Sequence, residues 1–203
     1  MDALPKTARG RATRERILTA ASELIAEQGI AATSLDDVID RAGVSKGQLY
    51  HLFDDRADLL RSVVLHNAQG VLATVGPCDS WRAIRAWFDD LVEIQRQRHC
   101  HGGCPIGALV GDLAEADEQA RHTLQAAFER WQQRLSDGLH AMKRSGKLQP
   151  TAEVDRLATA TLAAIEGGLV LCQTRRDADQ LAIALEAAYA HLRAYAAPAQ
   201  TTR

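Results

Sequence analysis

Apolar residues recur at intervals of three and four along almost the whole chain, and no stretch alternates apolar with polar as a half-buried strand would. The first stripe is Ile17, Leu18, Ala21, Leu24 and Ile25, closed by Gly29 at a C-cap position. Thr33 or Ser34 caps a second helix, with Asp36 and Asp37 in its first turn and Leu35, Val38, Ile39 and Ala42 on its apolar face. Gly43 breaks that pattern, and Ser45 caps a short third helix carrying Leu49, Leu52 and Phe53. A fourth opens at Asp54 or Asp55 and runs through Leu59, Leu60, Val63 and Val64 to about Val71.

Beyond a loop at Val75–Ser80, the segment from Ser80 to Gln97 is amphipathic, with Trp81, Ile84, Trp87, Phe88, Leu91 and Val92 on one side. Gly102, Gly103 and Pro105 make His99–Pro105 irregular. A short helix is predicted at Ile106–Glu115, and a long one from Asp117 to Arg144, stopped by Gly146. Two more follow, from Thr151 or Glu153 through Cys172, and from Asp177 to about Ala197. The pattern predicts an all-α protein of roughly nine helices. The expected domain boundary lies near residue 73: a helix-turn-helix domain with its connector helix over 1–73, and a second helical domain over 74–203.

Composition agrees with helices packed through aliphatic seams. Of 203 residues, 46% are hydrophobic but only 4% aromatic, and there are five prolines. No apolar run reaches the ~18 residues needed to span a bilayer. The basic, polar start, Met1 to Arg16, lacks the apolar core of a signal peptide. The expectation is a soluble, cytoplasmic protein without a membrane partner. With a net charge of −2, any nucleic-acid contact must come from a local basic patch. Lys6, Arg9, Arg11, Arg14 and Arg16 supply one such patch in the first sixteen residues.

Thr33–Phe53 is the most informative segment. Two short amphipathic helices flank Ala42-Gly43-Val44, the spacing of a helix-turn-helix, whose second helix enters the major groove by its N-terminal end. That helix offers Ser45, Lys46, Gln48, Tyr50 and His51 outward, donors suited to phosphates and base edges. A plain helical hairpin has the same periodicity, and spacing alone leaves both readings open.

Gly29, Thr33-Ser34, Val38-Ile39 and the run Ala42-Gly43-Val44-Ser45-Lys46-Gly47-Gln48-Leu49-Tyr50-His51-Leu52-Phe53 closely resemble the DNA-binding signature of the TetR (tetracycline repressor) family. Asp54-Asp55-Arg56-Ala57-Asp58-Leu59-Leu60 is similar to the start of that family's fourth helix. The resemblance covers about a quarter of the chain. It implies that Thr33 or Ser34 caps helix two and touches a phosphate, and that Ser45 caps the recognition helix. It further implies that Lys46 and Tyr50 meet backbone or base edges, that Gln48 reads a base, and that His51 meets phosphate. Arg56 stands where the family often has a phosphate-binding lysine, and the basic arm around Arg9, Arg11 and Arg14 is free to follow the backbone or enter the minor groove. Asp36, Asp37 and Asp40 depart from this picture, because an acidic helix two must face away from DNA.

The resemblance also implies a homodimer that holds a palindromic double-stranded DNA operator and releases it when a small molecule binds the C-terminal domain. The last two helices are apolar and rich in small residues, which suits a dimer interface as well as packing inside one subunit. The implied pocket lies between helices four and eight, with Trp87, Phe88, Leu91, Cys104, Leu124, Phe128 and Trp131 as candidate lining or ordinary core. Few charges fall on those faces, so an apolar or aromatic effector is expected.

His99-Cys100-His101-Gly102-Gly103-Cys104-Pro105 concentrates soft ligands. Its readings are a helix-breaking loop with one buried cysteine near the ligand pocket, a disulfide or electrophile sensor, or a Zn²⁺ or Cu⁺ site. A structural zinc normally wants a second Cys/His pair, so no metal and no cofactor are expected. Gly-Cys-Pro-Ile-Gly is similar to a segment in a subgroup of TetR-like regulators, some of them thiol-responsive. No P-loop, GxGxxG, GxSxG or HExxH motif supports an enzyme. The expected function is a ligand-responsive transcriptional repressor. Its alternatives are a thiol- or electrophile-sensing repressor and a TetR-like activator.

Overall fold

The structure, a computed structural model, describes residues 5–198. Among them are nine α-helices and one short 3₁₀ turn, and no strand beyond an isolated antiparallel bridge between Leu148 and Ala196. By compactness the chain falls into two units, one of residues up to Gly70 with Pro105–Ala127, the other of Val71–Cys104 with residues from Phe128 onward. The segment 105–127 groups by compactness with the N-terminal helices. Its apolar side chains Ile106, Leu109, Leu113 and Leu124 are buried, and two polar bonds tie it in place. Asn67 Nδ2 donates to the Pro105 carbonyl at 2.9 Å, and Arg61 pairs with Asp117 at 3.0 Å.

In the first unit, α1 (Ala8–Gln28) starts nine residues before its first strong apolar stripe. Thr7 caps it by accepting from Gly10 N at 3.0 Å, and the alanines and arginines that follow are strong helix formers. Arg9, Arg11, Arg14 and Arg16 are thus helical, and the expected basic arm is confined to the residues before Ala8; residues 1–4 lie outside those described. Next come α2 (Leu35–Ala42), α3 (Lys46–Leu52) and α4 (Arg56–Thr74). Ile17, Leu18, Ala21, Val38, Leu49, Phe53, Leu59 and Val63 are buried as the core. Burying each such aliphatic or aromatic side chain is worth about 1.5–3 kcal/mol. Polar ties fix α1 to α4: Arg14 to Ser62 at 3.0 Å and Ser22 to Asn67 at 2.7 Å. A 3₁₀ turn (Gly107–Leu109), the four-residue α6 (Val110–Leu113) and the start of α7 (Glu118–Arg144) complete the unit.

The second unit holds α5 (Trp81–Gln97), the rest of α7, α8 (Val154–Arg175) and α9 (Asp179–Arg193). Two glycines set its close approaches. A Cβ on Gly168 would sit 2.8 Å from Leu181 Cδ1 and 3.0 Å from Ala184 Cβ, so α8 and α9 meet with little between them. A Cβ on Gly138 would lie 2.6 Å from the Pro77 carbonyl, so the loop before α5 rests on the α7 backbone. α8 has 22 residues and a mean hydropathy of 1.3 over its most apolar window, enough in length and composition to cross a membrane. Here it packs against α9 with Leu157, Ala158, Thr161, Leu162, Ile165, Leu169 and Cys172 buried.

Candidate functional site

The geometry of the N-terminal site begins with two capping boxes. Ser34 Oγ accepts from Asp37 N at 3.1 Å while Ser34 N donates to Asp37 Oδ2 at 2.9 Å, closing the first turn of α2. The Ser34 hydroxyl also donates to Asp37 Oδ2 at 2.6 Å, and this bond, with the one from Ser34 N, holds the Asp37 carboxyl below its usual range. Ser45 and Gln48 repeat the arrangement at α3, with Gln48 N to Ser45 Oγ at 3.2 Å and Ser45 N to Gln48 Oε1 at 2.8 Å. Between the helices Gly43 adopts φ 61°, ψ 45°, a left-handed conformation that costs a Cβ-bearing residue about 1–2 kcal/mol. Val44 then sends its N–H to the Ile39 carbonyl at 3.2 Å and its side chain into the core.

This frame points Leu49 and Phe53 inward and leaves Ser45, Lys46, Gln48, Tyr50 and His51 exposed together along α3. Lys46 Nζ lies 6.0 Å from the Tyr50 ring centroid. Because Gln48 Oε1 is engaged in the cap, the amide NH₂ is the group directed outward as a donor. Gly47 belongs to the quoted run, but the sequence alone gives it no role of its own. It occupies the first turn of α3, its φ is not in the left-handed range, and a Cβ there would meet nothing nearer than Ser45 Oγ at 4.0 Å. Helical glycine costs about 1 kcal/mol relative to alanine. With no internal reason for it, its bare backbone suits close approach by something outside the protein.

Two of the expected contact residues also hold the turn between α1 and α2. Thr33 is buried and its hydroxyl donates to the Gly29 carbonyl at 2.8 Å, so it stitches the α1–α2 turn; Ser34 is the cap. Arg56 Nη2 donates to the carbonyls of Ile30 at 2.5 Å and Thr33 at 3.2 Å, which spends part of its guanidinium on that same turn. Arg11 is exposed on α1, with Nη1 donating to the Pro5 and Lys6 carbonyls at 3.2 and 3.0 Å. Asp36, Asp37 and Asp40 are all exposed.

In the second unit Trp87 and Phe88 are buried with ring centroids 5.4 Å apart, Trp131 and Cys104 are buried, and Leu91 and Phe128 are half-buried. Leu124 is also buried but belongs to the first unit. Among the described residues of the second unit, four buried polar atoms have no hydrogen-bond partner: Trp87 Nε1, Gln95 Oε1, Trp131 Nε1 and Glu166 Oε1. Each such orphan costs about 1–3 kcal/mol. Burial pushes the Glu166 carboxyl upward, and a hydrogen bond with Cys104 opposes this.

All four cysteines are free thiols and buried. Cys104 turns to Glu166 on α8, whereas the Cys100 carbonyl accepts from Arg176, just past the end of that helix, at 2.9 Å. The backbone explains it: His99 (φ 49°), Cys100 (φ 58°), Gly102 (φ 82°) and Gly103 (φ 54°) reverse the chain between the two sulfurs. Among the described residues no group of three or more His, Cys, Asp or Glu side chains forms a metal cluster.

Residues 80–187 match the family model described as the C-terminal domain of LmrA/YxaF-like transcriptional regulators, and residues 17–63 match that of bacterial regulatory proteins of the tetR family. An HTH-type transcriptional regulator of Lactococcus lactis subsp. lactis is 29% identical over 180 residues, covering 84% of this chain and 88% of the relative. The HTH-type transcriptional regulator LmrA of Bacillus subtilis is 27% identical over 178 residues, covering 83% and 90%. The fold is similar to that of a TetR transcriptional regulator from Chloroflexus aurantiacus, with TM-score 0.80 at 22% identity over 94% of this chain and 99% of that one. With one model matching more than half of the chain and a second covering the glycine-hinged helix pair, this protein belongs to the TetR family of bacterial transcriptional regulators.

Proposed function

We propose that this regulator is a homodimeric, cytoplasmic repressor that holds a palindromic operator through α3 and lets go when a small effector enters its C-terminal domain, residues 74–203. The observation that carries the DNA half is the exposed row Ser45, Lys46, Gln48, Tyr50 and His51 around the bare backbone of Gly47. Lys46 and His51 suit phosphates, and the outward amide of Gln48 suits a base-edge acceptor.

Dimerisation is supported by the outward faces of α8 and α9. Val170 (56% exposed), Leu171 (44%) and Ile183 (66%) are large apolar groups in solvent, flanked by Ala163, Gly167, Ala187 and Ala190. Such small-residue faces let helices of a second copy approach closely. Leu162 and Leu185, which helical periodicity alone offers as interface positions, are buried within one subunit.

Effector binding is supported by the orphaned polar atoms on α5, α7 and α8 amid Trp87, Phe88 and Trp131. Buried donors and acceptors of this kind, two indole N–H groups and two oxygens, suit an aromatic molecule carrying hydrogen-bonding groups.

A gel shift with fragments of the regulator's own upstream region tests the DNA half; failure of every fragment to bind specifically at low salt refutes it. A promoter reporter in a deletion strain then distinguishes repression from activation, since loss of the protein must raise expression.

A further inference from the structure

We propose that the end of α5 and the turn between α8 and α9 together form a binding site for the phosphate group of a small molecule.

The site is a surface cleft of about 510 Å³ within the second unit, lined by Arg96, His99, His101, Arg176, Asp177 and Asp179. That volume falls within the roughly 300–1,000 Å³ of small-molecule clefts, so it has room for an organic body beside an anionic group. Two backbone turns build it. At the end of α5, His99 N donates to the Arg96 carbonyl at 3.0 Å, Cys100 N to that of Gln95 at 2.8 Å and His101 N to that of Arg98 at 3.0 Å. After α8, the N–H groups of Arg176 and, at 3.2 Å, Asp177 donate to the Cys172 carbonyl. Arg176 Nη1 links the two turns by donating to the Cys100 carbonyl at 2.9 Å. His99 (φ 49°), Cys100 (φ 58°) and Arg176 (φ 53°) are three of the four non-glycine residues with positive φ among those described. Such backbone persists only where its surroundings hold it, and it gathers at ligand sites.

The pairing of charges decides the ligand. Both carboxylates of the cleft already have partners within the protein. Asp177 accepts from the Gln180 side chain at 2.8 Å and from Asp179 N at 3.0 Å, and these bonds hold its carboxyl below the usual range. Asp177 thereby covers the start of α9, so the site does not depend on free N–H groups there. Asp179 accepts from Arg96 Nη2 at 3.4 Å. Among the described residues no carboxylate pairs with Arg176, His99 or His101. The groups left over are therefore donors: the rest of the Arg176 guanidinium, and at least one N–H on each imidazole. A guanidinium already fixed at one end makes strong charge-assisted bonds to an oxyanion. Donors arriving from two separate turns suit the several oxygens of a phosphate better than the two of a carboxylate. None of these residues belongs to the buried group of Trp87, Gln95, Trp131 and Glu166, so the cleft is a second ligand site.

Calorimetric titration of the full-length protein tests this at constant ionic strength, with inorganic phosphate, glycerol 2-phosphate and glycerol as probes. Both phosphates should bind at one site per chain and glycerol should not; whichever phosphate binds more tightly identifies the source as the free anion or a phosphate ester. Arg176→Gln keeps a donor for the Cys100 carbonyl but loses the charge. It should weaken phosphate binding by about tenfold or more, the scale of one charge-assisted hydrogen bond. The double variant His99→Gln, His101→Gln alters only exposed side chains and should weaken binding as well. It carries the test where Arg176→Gln melts early by circular dichroism. Arg144→Gln removes the same charge from the end of α7 and should bind like the parent. No heat with either phosphate, undiminished binding in the double variant, or an equal loss in Arg144→Gln overturns the proposal. The readout needs no DNA and is independent of the repressor reading.

Discussion

Ser45 and Gln48 bond to each other twice, Gln48 N to Ser45 Oγ at 3.2 Å and Ser45 N to Gln48 Oε1 at 2.8 Å. One glutamine therefore both fixes the start of α3 and presents its amide outward. Gln48→Ala removes both functions, costing about 0.5–2 kcal/mol in stability. It also loses roughly 1–3 kcal/mol of discrimination at one base pair. Gln48→Glu keeps the acceptor that closes the cap and discards only the outward donor. It should melt like the parent while losing preference at the same base pair. Equal base preference in all three proteins, measured on operators substituted one pair at a time, removes Gln48 as a reader.

Gly47→Ala separates folding from binding. The new methyl meets open space, so the variant should be more stable by about 0.5–1 kcal/mol in urea unfolding. If DNA approaches this backbone, the same methyl weakens operator binding. A stabilised variant with undiminished affinity shows that the glycine faces nothing.

Lys46 and Tyr50 differ in charge, and salt tells them apart. Lys46→Ala should lower the log–log slope of affinity against salt by about one unit per half-site, through loss of one phosphate contact. Tyr50→Ala should weaken binding with the slope unchanged. Neither residue belongs to the core, since Tyr50 is 47% exposed and Lys46 is exposed. An unaltered slope for Lys46→Ala means that it touches no phosphate.

Ile183→Asp places a charge on the outward face of α9, whereas Leu185→Asp places one in the interior. Light scattering should find Ile183→Asp folded and monomeric with poor operator binding, and Leu185→Asp unfolded. A dimeric Ile183→Asp protein assigns the interface elsewhere.

Glu166 makes stability depend on pH in a defined direction. Burial raises its folded pKa, so the folded state retains a proton that the unfolded chain has released. Its contribution is harmless below the unfolded value, turns unfavourable as pH rises from the unfolded value through the folded one, and stays constant above that. Glu166→Gln, neutral at every pH, should melt at a higher temperature than the parent near pH 8, with the gap shrinking toward pH 4. A constant gap across that range excludes ionisation of Glu166 as its cause.

The amino-acid order by itself determined the helices and the recognition unit. Gly29, Ser34, Gly43, Ser45 and Gly146 end or begin helices through local capping and turn chemistry, which acts over a few residues and needs no distant partner. The outward row on α3 is legible for the same reason, because a 3.6-residue period assigns each side chain to a face once its helix is known. The early start of α1 was also in the order, in Thr7 and the alanine- and arginine-rich stretch after it, but it has no apolar stripe to announce it. What only the tertiary structure decided are relationships across long separations. Thr33 turns inward and Arg56 ties back to Ile30 because a packed turn must satisfy its buried carbonyls. Residues 105–127 join the first unit through Asn67 and Arg61. Arg176 reaches back to the Cys100 carbonyl at 2.9 Å, a bond set by where α8 ends in space and not by spacing in the chain.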